Sequence, residues 1–180
     1  MAHISLPNEQ LPGIVGLMDF RKDTAKILSE LAETLLRGES TLTRGEREII
    51  ASSVSYENNC HFCHTSHGAA ASAHLNKSVD FIDEIKKGID HLDVSPKLKS
   101  LLKIAHKVQK QAKDVSSEDI ALAKNEGATD MEIHDTVLIA SAFCMFNRYV
   151  DGLGTWAPES NDDYAGMGEL LANEGYVRER

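Results

Sequence analysis

The chain is poor in what strands, membranes and nucleic acids call for. Aromatic residues are only 6% of the sequence and proline occurs four times. The strand-like alternation of Val, Ile, Thr and Tyr is missing. No apolar run approaches the roughly 20 residues of a membrane span. Asp and Glu outnumber Lys and Arg by 28 to 19, for a net charge of −9. The cations are scattered, so there is no basic footprint for nucleic acid, and an acidic surface has no attraction to anionic lipid. The N-terminal residues show no basic segment followed by an apolar one, so no secretory signal is expected and a cytoplasmic location is.

What remains is an all-α pattern. At 180 residues, 42% of them hydrophobic and 26% charged, the chain is expected to form one soluble domain over 1–180. Residues 1–20 read as an N-terminal arm, irregular to Gly13 around Pro7 and Pro12. Ile27, Leu28, Leu31, Leu35 and Leu36 predict a helix from Asp23 to Arg37, stopped by Gly38. Thr43-Arg44-Gly45-Glu46 is a capping box and opens a helix to about Glu57. After Asn58-Asn59 another helix starts near Cys60 and runs to about Leu75, its Ala69-Ala70-Ala71 small enough to admit a close neighbour. Residues 43–75 thus form a helix pair. Further helices are expected from a Ser78 cap, from Ser95-Pro96, from Ser117 to about Asn125, and from the capping box at Thr129 through an apolar stretch to Gly152. Residues 155–180 form a C-terminal arm, with Asp163 to Asn173 a terminal helix or an exchanged segment.

The chemistry concentrates in Cys60-His61-Phe62-Cys63-His64-Thr65-Ser66-His67. Two thiols one helical turn apart can form and exchange a disulfide. Cys60, Cys63 and His67 fall at i, i+3 and i+7, on one helix face. His67 can take a proton from Cys63 or pair with its thiolate. A carboxylate would orient that imidazole. Glu48, twelve residues before Cys60, serves if the preceding helix folds back antiparallel, and Glu57 is a second candidate nearer the turn. Cys60 sits at a helix N-terminus, where unpaired N–H groups favour a thiolate, so it is expected to be the more exposed and more acidic thiol.

Other readings of the stretch are weaker. A structural zinc site wants four ligands, and no second CxxC or distant CxxH is present. Cys60 to His64 fits C-x-x-C-H, the c-type haem attachment pattern, but that attachment goes with export. No metal or cofactor is therefore expected. His61 should point away from the cysteines. His64 can approach Cys60, its plainer role being a solvated surface histidine. His74, His91, His106 and His134 read as surface or helix-face residues, and Cys144 as a small buried hydrophobe. Asn147 and Arg148 are placed to reach the site, an intersubunit partner or a structural cap, and Trp156 to pack in a subunit contact.

Glu48, Cys60-x-x-Cys63-x-x-x-His67, the preceding Ile49-Ile50-Ala51-Ser52-Ser53-Val54-Ser55 and Asn59 resemble the core motif of alkylhydroperoxidase D-like proteins in the carboxymuconolactone decarboxylase superfamily. Phe146-Asn147-Arg148-Tyr149-Val150-Asp151-Gly152-Leu153-Gly154 resembles its peroxidase-related branch. The resemblance implies an all-α helical bundle that assembles as a homo-oligomer (dimer, trimer or hexamer) and a thiol-dependent hydroperoxide reductase. On that pattern Cys63 attacks the peroxide, Cys60 closes the disulfide, and His67 and Glu48 relay protons. The implied partners are a small hydroperoxide and a dithiol reductant protein, lipoyl- or thioredoxin-like. A lactone-decarboxylating lyase and a non-enzymatic redox-sensing homo-oligomer are the alternatives. One departure stands out: the family's redox-active type carries a histidine two residues after the first cysteine, where this chain has Phe62.

Overall fold

The computed structural model describes residues 2–177. Nine α-helices follow one another among the described residues: α1 (Gly13–Phe20), α2 (Lys22–Arg37), α3 (Arg44–Glu57), α4 (His61–His74), α5 (Phe81–Lys86), α6 (Pro96–Gln111), α7 (Ser117–Asn125), α8 (Asp130–Gly152) and α9 (Ala165–Glu174). None is long and apolar enough to cross a membrane.

Local chemistry sets most of the boundaries. At the start of α3, Glu46 N–H donates to Thr43 Oγ1 at 3.2 Å, and Thr43 N–H donates to the Glu46 carboxylate at 2.8 Å. Thr129 and Glu132 repeat the arrangement at α8. A third capping box, Ser116 with Asp119, opens α7; its N3 residue is Asp rather than Glu or Gln, so it does not match the usual sequence pattern. Ser95 caps α6 ahead of Pro96. Ser78 does not cap α5; it bonds to Asp80, which holds the N-cap position. The span expected as an arm over 1–20 contains α1, and the C-terminal arm contains α9, packed on α4 of the same chain.

Helices α3, α6 and α8 enclose the main core through Ile49, Ile50, Leu101, Leu102, Ile139 and Phe143, all buried. Each such side chain contributes about 1.5–3 kcal/mol relative to exposure. Ile27 is left out of the apolar stripe of α2 and is 65% exposed. The C-terminal end of α2 is held by the buried Arg47, whose Nη1 donates to Leu35 O and Gly38 O, a cation where the helix dipole favours one.

The α3–α4 hairpin positions the site. Its helices run antiparallel, with Ser52 against His64 and Glu48 against His67. Asn59 takes the turn at φ +58°, a left-handed conformation that asparagine tolerates. The turn is tied to α8: Asn58 Nδ2 donates to Asn147 Oδ1 at 2.8 Å, and Asn147 Nδ2 donates to Ser55 Oγ at 3.0 Å. On the far side α9 lies close on α4. Gly168 touches the Ala69 backbone so tightly that no side chain fits there.

Candidate active site

Glu48 projects from α3 and His67 from α4. Glu48 Oε2 and His67 Nδ1 are 2.8 Å apart, with the carboxylate fully buried. A carboxylate only accepts, so Nδ1 carries the proton and Nε2 is the basic nitrogen of the neutral ring. The ring is wedged edge-on against Phe143, 4.6 Å between centroids. The second carboxylate oxygen is taken by a residue that sequence reasoning missed: Tyr176, beyond α9, donates its hydroxyl to Glu48 Oε1 at 2.6 Å. Nothing local to Tyr176 signals that contact.

The two thiols stand at the start of α4, with Cys60 as its N-cap and Cys63 one turn before His67. They are free, and they are buried rather than exposed: Cys60 is 0% and Cys63 3% accessible. An apolar cluster of Phe62, Ile82, Val150 and Tyr164 encloses them. The helix-end expectation for Cys60 is therefore overturned. Its hydrogen bond to Cys63 and its burial push the Cys60 thiol well above the usual range. The dipole of one helix end is outweighed by the loss of water and by the neighbouring sulfur. Asp151, at the end of α8, also faces Cys60. Burial raises its carboxyl, and a hydrogen bond from Cys60 partly offsets that. Among the described residues no hydrogen bond joins Cys63 to His67.

His64 is not a surface histidine. It is 2% exposed, and its Nδ1 lies 3.1 Å from the carbonyl oxygen of Ser52 and 3.0 Å from Ser52 Oγ. Burial lowers its pKa to about 4, so the ring is neutral at pH 7 and clamps α3 to α4. His61 does point away, and its Nε2 donates to Pro158 O at 2.9 Å. His106 bonds Ser53 Oγ at 2.7 Å across α3 and α6. Cys144 is only partly buried and receives Asn58 Nδ2 at 3.5 Å. Glu57 stays exposed at the end of α3. Arg148 turns back to Cys144 O, and Trp156 Nε1 donates to Glu9 O.

Residues 22–86 match the model of the carboxymuconolactone decarboxylase family. That stretch runs from α2 to α5 and holds Glu48, Cys60, Cys63 and His67, the residues on which the motif resemblance rests. No curated protein matches the chain. Among solved structures the chain is similar to an alkylhydroperoxidase AhpD core, an uncharacterized peroxidase-related protein from Ralstonia eutropha JMP134. The TM-score is 0.80 at 22% identity, over 93% of this chain and 96% of that one. It is also similar to an uncharacterized peroxidase-related protein from Silicibacter sp. TM1040, with a TM-score of 0.77 at 23% identity, over 87% and 80% of the two chains. At these identities the likeness establishes an alkylhydroperoxidase-core fold.

Tyr176, Tyr164, Asp151 and Asn147 all lie outside the carboxymuconolactone decarboxylase stretch yet close around its helix pair. A cavity of about 570 Å³ lies beside Tyr176, between α1, α2, α4 and α9. Its wall is largely apolar, with Val15, Met18 and Leu170 among the lining residues, and it reaches His67 and Tyr176 but neither cysteine. Phe62 forms part of the same wall. Where the family's redox-active type has a further histidine, this chain has a ring packed on Gly13 and Tyr164. Among the described residues, no three His, Cys, Asp or Glu side chains converge to hold a metal ion.

Proposed function

We propose that the protein is a thiol-dependent peroxidase that reduces organic hydroperoxides with the Cys60–Cys63 pair. The observation that carries this reading is the His67 Nδ1–Glu48 Oε2 contact of 2.8 Å, one helical turn from Cys63. Cys63 gives its proton to His67 and its thiolate attacks the peroxide oxygen. The O–O bond breaks, the alkoxide leaves as an alcohol with the proton returned by His67, and Cys63 becomes a sulfenic acid. Cys60, held protonated beside it, then attacks that sulfur. Hydroxide leaves as water with the Cys60 proton, and the disulfide forms. A dithiol protein, lipoyl- or thioredoxin-like, takes over the disulfide by two exchanges.

The apolar wall of the cavity at His67 supports a hydrocarbon-bearing hydroperoxide over hydrogen peroxide. Met131, Leu138 and Met145 lie seven residues apart on α8, 63%, 40% and 44% exposed, and support assembly with further copies of the chain through that face. A lactone-decarboxylating lyase would leave the thiol pair without a role.

The test is consumption of cumene hydroperoxide and hydrogen peroxide with a dithiol reductant, in wild type, Cys63→Ser and Cys60→Ser. Cys63→Ser is expected to be inactive. Cys60→Ser is expected to react once and stop as a dimedone-trappable sulfenic acid. Wild-type rates in both variants would sink the reading. A disulfide that forms without turnover with any dithiol tried would favour redox sensing instead.

A further inference from the structure

The C-terminal turn after α9 is fastened at several points. Arg37 Nη1 donates to Leu171 O and Ala172 O in the last turn of α9, where Leu171 O also accepts the Gly175 N–H. Arg37 Nε binds Glu33 Oε1 at 3.0 Å, and Glu33 Oε2 accepts the backbone N–H of Tyr176 at 2.7 Å. Between them Gly175 reverses the chain at φ +81°, and a Cβ there would run into the Glu33 carboxylate and the Arg37 side chain. A surface tail needs none of this.

The result of the fastening is the placement of one hydroxyl. The Tyr176 ring stacks on His67 at 5.9 Å with the planes 12° apart, and its oxygen is 2.6 Å from Glu48 Oε1 and 3.3 Å from His67 Nδ1. A phenol has one proton to give. With that proton on Glu48, the ring nitrogen keeps its own. The charged and titratable groups facing the phenol are Glu48 from α3, Glu33 and Arg37 from α2, and His67 from α4. Arg47 and His74 are further neighbours of Glu48. Burial, and then the Glu48 charge, raise the Tyr176 pKa well above the usual tyrosine value, so the phenol remains a donor throughout the working pH range.

We propose that Tyr176 is a positioning residue of the Glu48–His67 pair: its hydroxyl fixes the carboxylate with Oε2 towards His67 and thereby holds the imidazole in the tautomer whose Nε2 is free to move protons. The turn built by Glu33, Arg37 and Gly175 is the device that delivers it. The role in turnover rests on the peroxidase reading; the effect on the histidine does not.

Tyr176→Phe keeps the ring stack and removes the hydroxyl. Glu48 then loses one of its two donors, and the carboxylate and the imidazole it orients are held less firmly. The acid limb of kcat/KM against pH is expected to move upward by about one unit, with kcat lowered about tenfold and KM nearly unchanged. A second readout needs no peroxide: the pH dependence of iodoacetamide alkylation of Cys63 in a Cys60→Ser, Cys144→Ser background. Tyr176→Phe is expected to shift that profile in the same direction. Arg37→Ala, which leaves the phenol but frees its turn, is expected to give a smaller shift of the same sign. Superposable alkylation profiles with and without the hydroxyl overturn the inference even if peroxide turnover is intact. A shifted alkylation profile in a protein that reduces no peroxide sustains the inference and defeats the peroxidase reading.

Discussion

His67 Nδ1 and Glu48 Oε2 stand 2.8 Å apart across the α3–α4 hairpin, at a carboxylate with no exposure to solvent. A buried carboxylate that accepts from two donors is fixed in place, and it orients the imidazole in turn. Glu48→Gln keeps the volume but removes the charge. Turnover of an organic hydroperoxide is expected to fall by about 10²-fold or more, the span of general acid–base assistance. The melting temperature should change little by comparison. Steady-state kinetics beside a thermal melt separates the two, and an unchanged kcat/KM would make the pair purely structural.

His64 makes a prediction about pH. Its ring takes up a proton near pH 4 in the folded chain and near the ordinary 6.5 when unfolded. Between those values the unfolded state binds more protons, so stability rises with pH. The contribution of the neutral ring is complete above about pH 6.5 and is lost as the pH falls towards 4. At about 1.4 kcal/mol per unit this amounts to about 3 kcal/mol. Urea unfolding of wild type and His64→Asn at pH 7 and pH 4 should show the advantage of wild type shrinking by that amount. An advantage that is constant with pH would contradict the assignment.

Asn147 joins the end of α3 to α8 through Asn58 and Ser55, and it is 1% exposed. Asn147→Ala removes two hydrogen bonds, one to the part-buried Asn58 Nδ2 and one to the buried Ser55 Oγ, at a cost of about 1–3 kcal/mol. For a chain of this size that lowers the melting temperature by about 2–4 °C per kcal/mol. Because the network borders Cys60, the variant should also expose that thiol. Faster labelling of Cys60 with Ellman's reagent in native protein is the expected sign, and an unchanged labelling rate would confine the network to stability.

Where the cause of a feature lies within a few residues, the sequence made it visible. The capping box at Thr43 and the break at Asn58-Asn59 define the hairpin, and the spacing from Glu48 to His67 follows from folding it back. The misreadings share one origin. Cys60 has the local setting of an acidic thiol, yet Val150 and Tyr164, about 90 and 100 residues away in the chain, exclude its water. His64 reads from the sequence as a neighbour of Cys60 or a solvated surface histidine, yet Ser52 on the facing helix accepts a hydrogen bond from its Nδ1. Tyr176 is the extreme case. Its contact with Glu48 depends on α9 lying close on Ala69 through Gly168, and on Arg37 and Glu33 catching the chain at Gly175. None of these leaves a periodic or motif signal near residue 176.

Phe62 is packed face to face with the absence of a side chain at Gly13, whose φ is +53°. Any Cβ at position 13 would enter the Phe62 ring, and a smaller ring at position 62 would leave a hole beside α1. The two positions are therefore an epistatic pair. A side chain at 13 requires both a smaller residue at 62 and a backbone outside the left-handed region. The bulk of Phe62 thus dictates how closely α1 can approach α4, and the absence of a side chain at 13 is the condition for that approach.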